Sequence, residues 1–247
     1  RLVLRKARGG MDIESNEAKL VMDENGRCID IVKRDRGTSE CMIEEFMLLA
    51  NQCAAHFARV KQIPFVYRVH EEPNGEKLER LHALLQACGI NDHFAKEVPT
   101  PKELSAILEG VRGTAFEQIV NTGMLRCMSK ACYEERPKGH YGLVLKDYAH
   151  FTSPIRRYPD MMVHRLLAEY LAGGKSADRE YYAQACNYAS QREVVAAEAE
   201  RASIKYKLVE FMQDKLGQEF TGHISGLTEW GMYVEIEPTK IEGMVPL

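Results

Sequence analysis

The stretch HYGLVLKDYAHFTSPIRRYPD, residues 140–160, decides how the rest of the chain is interpreted. HYGLVL is typical of a strand, and the Ser153-Pro154 pair after it predicts a helix that runs to about Leu171. Serine is a favoured N-cap residue, and proline suits the first helical position because its missing N–H costs nothing there. The backbone amides that follow would lie at the positive end of the helix, which is a natural anion site.

Two adjacent arginines follow at this predicted helix start. The guanidinium groups of Arg156 and Arg157 offer paired donors that match phosphate oxygens. Asp160 lies four residues after Arg156 and would orient its guanidinium from within the helix. The ordinary interpretation is a capped helix with surface arginines, and spacing alone favours it. A phosphate site is therefore a hypothesis that needs support from the rest of the sequence.

The composition is typical of a soluble globular protein. Of 247 residues, 45% are hydrophobic and 28% are charged, which fits one large domain or one domain and a small one. No apolar run is long enough to predict a membrane span, and RLVLRKARGG at the start is not typical of a secretory signal. The first residue is not Met, so we expect the chain to begin within a longer polypeptide or after a processing cut. The net charge of −3 argues weakly against a general polyanion binder, but not against an enzyme with a basic channel.

The cysteines predict neither a disulfide framework nor a zinc cluster. Their number is odd and no C-x-x-C pair occurs. We expect reduced, buried thiols in a cytoplasmic protein. The seven lie at positions 28, 41, 53, 88, 127, 132 and 186.

Local signals predict a largely helical chain with a hairpin near its start. Asn25-Gly26 suits a tight turn between two strands within residues 17–33. Ser39 is expected to cap a helix that is apolar on nearly all sides and should be buried. IPFVYRVHEEP predicts a short strand that runs into a turn. Further helices are predicted near residues 75–88, 101–111, 114–130 and 176–214.

The sequence pattern changes after Leu216-Gly217. QEFTGHISGLTEWGMYVEIEPTKIEGMVPL contains short β runs separated by Gly and Pro, which predicts an all-β module of about three strands. The whole chain is therefore expected to have an α+β fold. We predict one mixed helical and β domain over residues 1–214 and an incomplete β module over residues 215–247.

Several stretches together resemble the RNase II/RNase R (RNB-domain) family of processive 3′-to-5′ exoribonucleases. The strongest resemblance is in HYGLVLKDYAHFTSPIRRYPDMMVHRLL, and its HFTSP and RRYPD motifs favour the RNase R branch. ARGGMDIESNEAKLVMDENG resembles the family's early hairpin region, IEEFMLLAN a buried helix, and AERASIKY a late helix. The resemblance implies the C-terminal part of a catalytic RNB domain, followed by the start of an S1-type OB-fold RNA-binding domain.

The resemblance implies roles for residues on two predicted helices. The first arginine of the SPIR motif contacts the phosphate being cleaved, and that position is Arg156. Arg157 is then expected to hold the RNA backbone, with Ser153 beside it. A glutamate that contacts the terminal nucleotides maps onto Glu44 or Glu45, with Glu45 preferred. A carboxylate there is costly to bury without a partner, and a ribose 2′-hydroxyl is a plausible one, although one of the two could simply face solvent.

Other implied site residues have equally good ordinary interpretations. A functional glutamate of the family falls on Glu200, which could also be a solvated residue of the long helix. Tyr148, His150 and His164 could each be core or supporting residues. The same holds for Tyr158, which we include among the RNA-binding candidates. His150, His164 and Asp160 lack the spacing of a convincing metal site.

The β module offers two aromatic candidates for RNA binding. Trp230 and Tyr233, in TEWGMYVEI, could stack on bases as single-strand binding OB-folds do. Simple packing is the alternative for Trp230. The remaining strands of an S1-type barrel are absent from the sequence, so the barrel cannot close from this chain alone.

The resemblance also implies Mg²⁺, whose ligands in the family come from closely spaced aspartates. This sequence has no such cluster, since its aspartates are scattered at positions 12, 23, 30, 35, 92, 147, 160, 178 and 214. We expect the Mg²⁺ ligands in an upstream segment of the same polypeptide, and no metal site in this chain. The isolated chain is therefore expected not to degrade RNA.

The sequence leaves competing functions open. The first is a piece of a Mg²⁺-dependent exoribonuclease that acts on single-stranded RNA, releases nucleoside 5′-monophosphates and has no contact with membranes. The second is a non-catalytic RNA-binding or adaptor protein that lacks the metal-binding half. The third is a mixed α/β domain with an incidental arginine-rich helix start.

Overall fold

The computed structural model describes residues 2–11, 18–33, 37–91, 94, 96–174, 178–237, 239 and 241–247. The fold is α+β, as predicted. The elements, in chain order, are α1 (Leu2–Ala7), β1 (Ala18–Met22), β2 (Cys28–Lys33), α2 (Thr38–Val60), β3 (Tyr67–Val69), α3 (Gly75–Ala87), α4 (Pro101–Val111), α5 (Glu117–Cys127), β4 (Cys132–Glu134), a 3₁₀ turn (Tyr141–Leu143), α6 (Tyr158–Leu171), α7 (Arg179–Gln213), β5 (Gly222–Thr228), β6 (Gly231–Ile236) and β7 (Ile241–Pro246).

The chain divides into two compact units. The first combines Arg1–Ile13 with Thr38–Glu193, and the second combines Glu14–Gly37 with Val194–Leu247. Helix α7 contributes to both. The boundary near residue 215 between the predicted domains, residues 1–214 and 215–247, stays a prediction.

The core of the first unit forms around the antiparallel pair β3 and β4. Phe65, Val66 and Val69 are fully or almost fully buried. They pack with Ala55 and Ala58 of α2 and with apolar residues of α6 and the start of α7. A separate cluster joins α3, α4 and α5 through buried leucines, Val120 and Met124. This arrangement places α2 and α6 on the same core as the short sheet.

The predicted boundaries of α3 and α4 are confirmed, because strong local signals set them. Gly89 follows α3 at φ +68°, a backbone conformation that glycine adopts without strain. Thr100 and Glu103 form a capping box at the start of α4, with Pro101 in the first turn. Each of these residues either helps to satisfy a backbone N–H or C=O group that is unpaired at a helix end or, in the case of Pro101, removes such an N–H group.

Replacing Thr100 with alanine is expected to lower the free energy of unfolding by about 1 kcal/mol. The substitution removes the hydroxyl that accepts from the Glu103 amide at 3.3 Å and donates to the Glu103 carboxylate at 2.7 Å. Urea unfolding followed by circular dichroism measures the loss. Ser105→Ala, inside α4, is the matched control, and an equal loss in both variants would show that the cap contributes nothing.

Helix α2 is less buried than its sequence predicts. Asn51, Ala55 and Ala58 are its buried residues, whereas Phe46 is 61% exposed and Met42 53%. The prediction of a buried helix is therefore wrong for the first half. The physical reason is that, among the described residues, the apolar core covers only the second half of the helix.

The predicted strand HYGLVL is also wrong. The chain turns back on itself, because the amides of His140 and Leu145 each donate to the carbonyl of the other at 2.8 and 3.2 Å. The 3₁₀ turn lies between them, and Val144 adopts a left-handed conformation with φ +54°. An apolar run of this length cannot distinguish a strand from such a tight reversal.

The second unit contains the predicted hairpin and a three-stranded antiparallel sheet. Strands β1 and β2 pair across the Asn25-Gly26 turn, where Gly26 has φ +74°. The second sheet has the order β5-β6-β7. Cys28, Ile31 and Ile241 form a small buried cluster with side chains from the end of α7.

All seven cysteines are free thiols, but not all are buried as predicted. Cys28, Cys127 and Cys186 are buried, while Cys53 is exposed. Burial raises the pKa of Cys127 to about 11 and that of Cys186 to about 12, so both are protonated thiols near neutral pH. Within the described part of the chain, no helix is both long enough and apolar enough to cross a membrane.

Candidate functional site

The SPIRR segment forms a turn and not the predicted helix start. Helix α6 begins at Tyr158 with Arg157 as its N-cap residue, so the prediction of Ser153 as N-cap is wrong. A helix from Pro154 would place Pro159 in its interior, where the ring clashes and a hydrogen bond is lost. Starting at Tyr158 keeps Pro159 in the first turn, where proline is tolerated.

Two backbone amides that were predicted to bind an anion are hydrogen-bonded within the turn itself. The carbonyl of Ser153 accepts from the amides of Arg156 at 3.2 Å and Arg157 at 3.0 Å. These two N–H groups therefore stabilise the turn. The positive charge for a phosphate must come from side chains and not from the predicted helix terminus.

Asp160 holds the turn from inside. Its side chain is 0% exposed, and its Oδ2 accepts from the Ser153 amide at 2.7 Å and from Nη2 of Arg157 at 2.9 Å. The prediction that Asp160 orients Arg156 is wrong, because the carboxylate lies against Arg157, three residues before it. Asp160 thus fixes both ends of the segment that carries Arg156.

The two arginines consequently have different environments. Arg157 is half-buried and ion-paired, whereas Arg156 is exposed. Within the described residues we find no ion pair or side-chain hydrogen bond of Arg156. Tyr158 beside them is 62% exposed. The structure therefore presents Arg156 to solvent on a segment that Arg157 and Asp160 hold in place.

Asn51 of α2 contacts the segment before the arginine turn, and the sequence analysis did not single it out. Its Oδ1 accepts from the amides of Phe151 at 2.9 Å and Thr152 at 3.2 Å, and its Nδ2 donates to the Tyr148 hydroxyl at 3.1 Å. A polar residue at the end of the apolar stretch IEEFMLLAN is the signal that could have identified it.

Tyr148 and His150 belong to a buried group of aromatic rings. The rings of Tyr148 and His150 are 5.8 Å apart, and the Tyr133 hydroxyl lies 3.0 Å from Nδ1 of His150. Burial lowers the pKa of His150 to about 2, so its ring is neutral near pH 7. The guanidinium of Arg68 lies 4.6 Å from the centre of the Tyr133 ring. Of these residues, Tyr148 is buried and His150 is half-buried.

His164 also contacts this segment, through Phe151. Its ring stacks on Phe151 with centroids 4.3 Å apart, and its Nε2 lies 2.8 Å from the Phe151 carbonyl oxygen. His164 therefore acts as a packing and hydrogen-bonding residue. The ordinary interpretation of this histidine agrees with its surroundings.

The glutamate pair of α2 is only partly buried. Nε of Arg5 lies 2.8 Å from Oε1 of Glu45, and these two side chains are 15% and 13% exposed. The cost of burying this carboxylate is thus offset by an arginine of α1. Glu44 is half-buried, and both glutamates have further interactions within the chain.

The other candidates lie in the second unit. Glu200 is exposed on α7. Trp230 is 75% exposed at the turn between β5 and β6, and Tyr233 is half-buried on β6. The exposed indole ring is available for stacking, which is the property that the base-binding hypothesis requires.

The residues that the structure describes do not form a metal site. Among the described residues, no group of three or more His, Cys, Asp or Glu side chains could hold an ion. Three of the scattered aspartates, at positions 12, 35 and 92, lie outside the described residues. The described part of the chain therefore offers no ligand set through which a metal-dependent step could run.

A comparison with protein-family models assigns the chain to a known family. The family model described as "RNB domain" matches residues 2–173, which is more than half of the chain. The chain therefore belongs to the RNB-domain family, and the resemblance noted in its sequence is confirmed.

Two curated relatives that the chain resembles carry the name Ribonuclease R. It is 39% identical to Ribonuclease R 1 of Lactococcus lactis, over 98% of this chain and 30% of that protein. It is 40% identical to Ribonuclease R of Thermotoga maritima, over 98% of this chain and 35% of that protein. The chain spans about a third of the length of these curated relatives.

A solved structure agrees with this assignment. The structure of Mycoplasma genitalium RNase R in complex with ribose methylated single-stranded RNA matches 99% of this chain and 39% of that chain. The TM-score is 0.92 and the sequence identity 27%. The two chains therefore share a fold over nearly the full length of the present one.

Proposed function

We propose that this chain is the part of a hydrolytic, processive 3′-to-5′ exoribonuclease of the RNase R type that holds phosphate groups and backbone of single-stranded RNA. The whole polypeptide would release nucleoside 5′-monophosphates. The observation that carries the proposal is the exposed guanidinium of Arg156 on a turn fixed by the Arg157–Asp160 pair. The relatives named Ribonuclease R support it.

The proposal gives the two arginines different parts. Arg156 contacts the phosphate being cleaved, where a positioned donor stabilises developing negative charge. Arg157 already uses Nη2 on Asp160. Its contact with the RNA backbone would therefore come from the other terminal nitrogen, while the ion pair keeps the turn in place. Ser153 and the exposed ring of Tyr158 are further candidates for RNA contacts along this segment.

The remaining candidates are assigned by the same proposal. Glu45, with Glu44 as the alternative, contacts the terminal nucleotide, and Glu200 has a catalytic role. Trp230 and Tyr233 stack on bases of the incoming strand. These roles are proposals that rest on the matching positions of the family's motifs.

Mg²⁺ would be supplied with its ligands by an upstream segment of the same polypeptide. Such an ion activates water and offsets charge on phosphoryl oxygens. The scattered aspartates of this chain do not offer the several oxygen ligands that Mg²⁺ needs. We place the protein in the cytoplasm, because free cysteines are typical of a reducing compartment.

The isolated chain is expected not to hydrolyse RNA. Incubation with a 3′-tailed single-stranded RNA and Mg²⁺ should release no nucleoside 5′-monophosphate, since the aspartate cluster is missing from this sequence. One polypeptide that joins this chain to its upstream segment should release them steadily. Release by the isolated chain would show that the metal site has been misplaced. Inactivity of the joined polypeptide would favour the non-catalytic RNA-binding protein instead.

A further inference from the structure

The carboxamide of Asn51 joins α2 to residues 148–152, just before the arginine turn, while His56 and Arg59 of the same helix contact Asp147 further upstream. Asn51 is 3% exposed, and it is the one buried polar residue among those that the structure describes in α2. Polar groups at such depth are normally hydrogen-bonded, because an unpaired one loses its hydration without compensation. The hydrogen bonds of Asn51 therefore indicate which part of the chain its buried side chain stabilises.

These contacts are directed at one short segment. The two adjacent amides of Phe151 and Thr152 donate to the same oxygen of Asn51, and the Asn51 amide group reaches Tyr148 from the other side. The oxygen takes the place of a backbone carbonyl of a neighbouring strand. Residues 149–152 belong to no strand, so this side chain supplies acceptors that a sheet would otherwise provide.

Hydrogen bonds, with one peptide bond between them, connect Asn51 to Arg156. Thr152 is held by Asn51, and the next residue, Ser153, donates its amide to Asp160. The carbonyl of Ser153 then accepts from the amide of Arg156. Each residue in this series sets the position of the next, so a shift at Thr152 would be passed to the backbone of Arg156.

The same helix carries the candidate that would contact the terminal nucleotide. Glu45 precedes Asn51 by six residues, which corresponds to about 9 Å along a helix axis. Because α2 is a continuous helix, Asn51 ties the arginine turn at a set distance from Glu45. A phosphate contact and a nucleotide contact must keep such a spacing if one RNA strand is to reach both.

We propose that Asn51 is a positioning residue for the phosphate contact of Arg156, acting through the two amides that its side-chain oxygen accepts. This inference rests on the proposed function of Arg156. Asn51 is not expected to touch RNA. The bond from Asn51 to the Tyr148 hydroxyl holds the carboxamide in orientation and is secondary.

The test is a double-mutant cycle on RNA hydrolysis by the joined polypeptide. Asn51→Leu should lower kcat roughly tenfold to a hundredfold with a much smaller change in KM, because a small displacement of a positioned donor reduces turnover strongly. In an Arg156→Ala background the same substitution should cost less than about twofold, since the positioned group is already gone. Equal losses in both backgrounds would mean that Asn51 acts only on stability, and would overturn the proposal.

Two further variants keep the test valid if Asn51→Leu folds poorly. Asn51→Asp retains oxygens for both amides and should recover most of the lost kcat, whereas Tyr148→Phe removes only the secondary bond and should lower kcat less than about threefold. Gln52→Leu removes the neighbouring carboxamide of the same helix and is the matched control. A kcat for Asn51→Asp as low as that of Asn51→Leu would contradict a role through the accepted amides.

An RNA-free measurement separates failure of this inference from failure of the proposed function. Amide hydrogen exchange at Phe151 and Thr152 should be protected in the wild-type chain and in Asn51→Asp, and should lose protection in Asn51→Leu. If protection behaves in this way while Arg156→Ala leaves hydrolysis unchanged, the proposed function is wrong. If Arg156→Ala abolishes turnover but protection at both amides is unaffected by Asn51→Leu, the positioning role is wrong.

Discussion

Replacing Arg156 with alanine is expected to lower kcat for RNA hydrolysis about 10²–10³-fold in the joined polypeptide. The free energy of unfolding should change by less than about 0.5 kcal/mol, because the side chain is exposed. RNA affinity should fall much less than kcat. Single-turnover hydrolysis, fluorescence anisotropy with a labelled RNA and urea unfolding measure the three quantities.

The expected split between kcat and affinity follows from the chemistry. A guanidinium that meets the phosphate being cleaved stabilises charge that grows in the transition state, so its loss acts on turnover more than on binding. Other phosphates of the strand would keep their contacts. Arg165→Ala, which removes an exposed arginine of α6 a few residues after the turn, is the matched control and should leave kcat unchanged. If both variants lose kcat equally, the effect comes from overall charge, and Arg156 has no specific role at the phosphate being cleaved.

Replacing Asp160 with asparagine is expected to lower the free energy of unfolding by about 3 kcal/mol. The carboxylate is fully buried, and its partner Arg157 has a side chain that is only 20% exposed. The substitution keeps the shape but leaves the arginine charge without its counter-charge in a place that water reaches poorly. Urea unfolding of the isolated chain, followed by circular dichroism, measures this loss without any assumption about RNA.

A second substitution distinguishes an unpaired charge from a disturbed fold. Arg157→Met together with Asp160→Asn removes both charges and should recover at least half of the lost stability, because no charge is then buried alone. Glu169→Gln, which neutralises an exposed acid of the same helix, should change stability by less than about 0.5 kcal/mol. A double variant no more stable than Asp160→Asn would show that the loss does not come from an unpaired arginine charge.

The features that were predictable from sequence are those whose causes are local. The Asn25-Gly26 hairpin follows from the positive φ that such a turn needs. The limits of α4 follow from Thr100, Pro101 and the capping box. In each case a few neighbouring residues satisfy their own backbone groups, so distant parts of the chain have little influence. The motif around Arg156 was also recognisable, because its amino-acid sequence is distinctive over many residues.

The predictions that were wrong concern features that depend on residues far apart in the chain. The HYGLVL segment has the apolar content of a strand, yet its ends bond to each other and to His70. Helix α2 has apolar residues on nearly all sides, yet only its second half meets the core. Sequence periodicity shows which residues are able to be buried, but not how much core is available to cover them.

The sequence by itself determined the family of this protein and the order of most of its elements, and it singled out Arg156 as the candidate for a phosphate contact. Only the tertiary structure decided that Asp160 holds Arg157, that Arg156 is left exposed, and that Asn51 of α2 fixes the chain before the turn. The physical reason is that a buried carboxylate or carboxamide takes the donors that lie nearest in space. Those donors come from segments that meet only when the chain has folded.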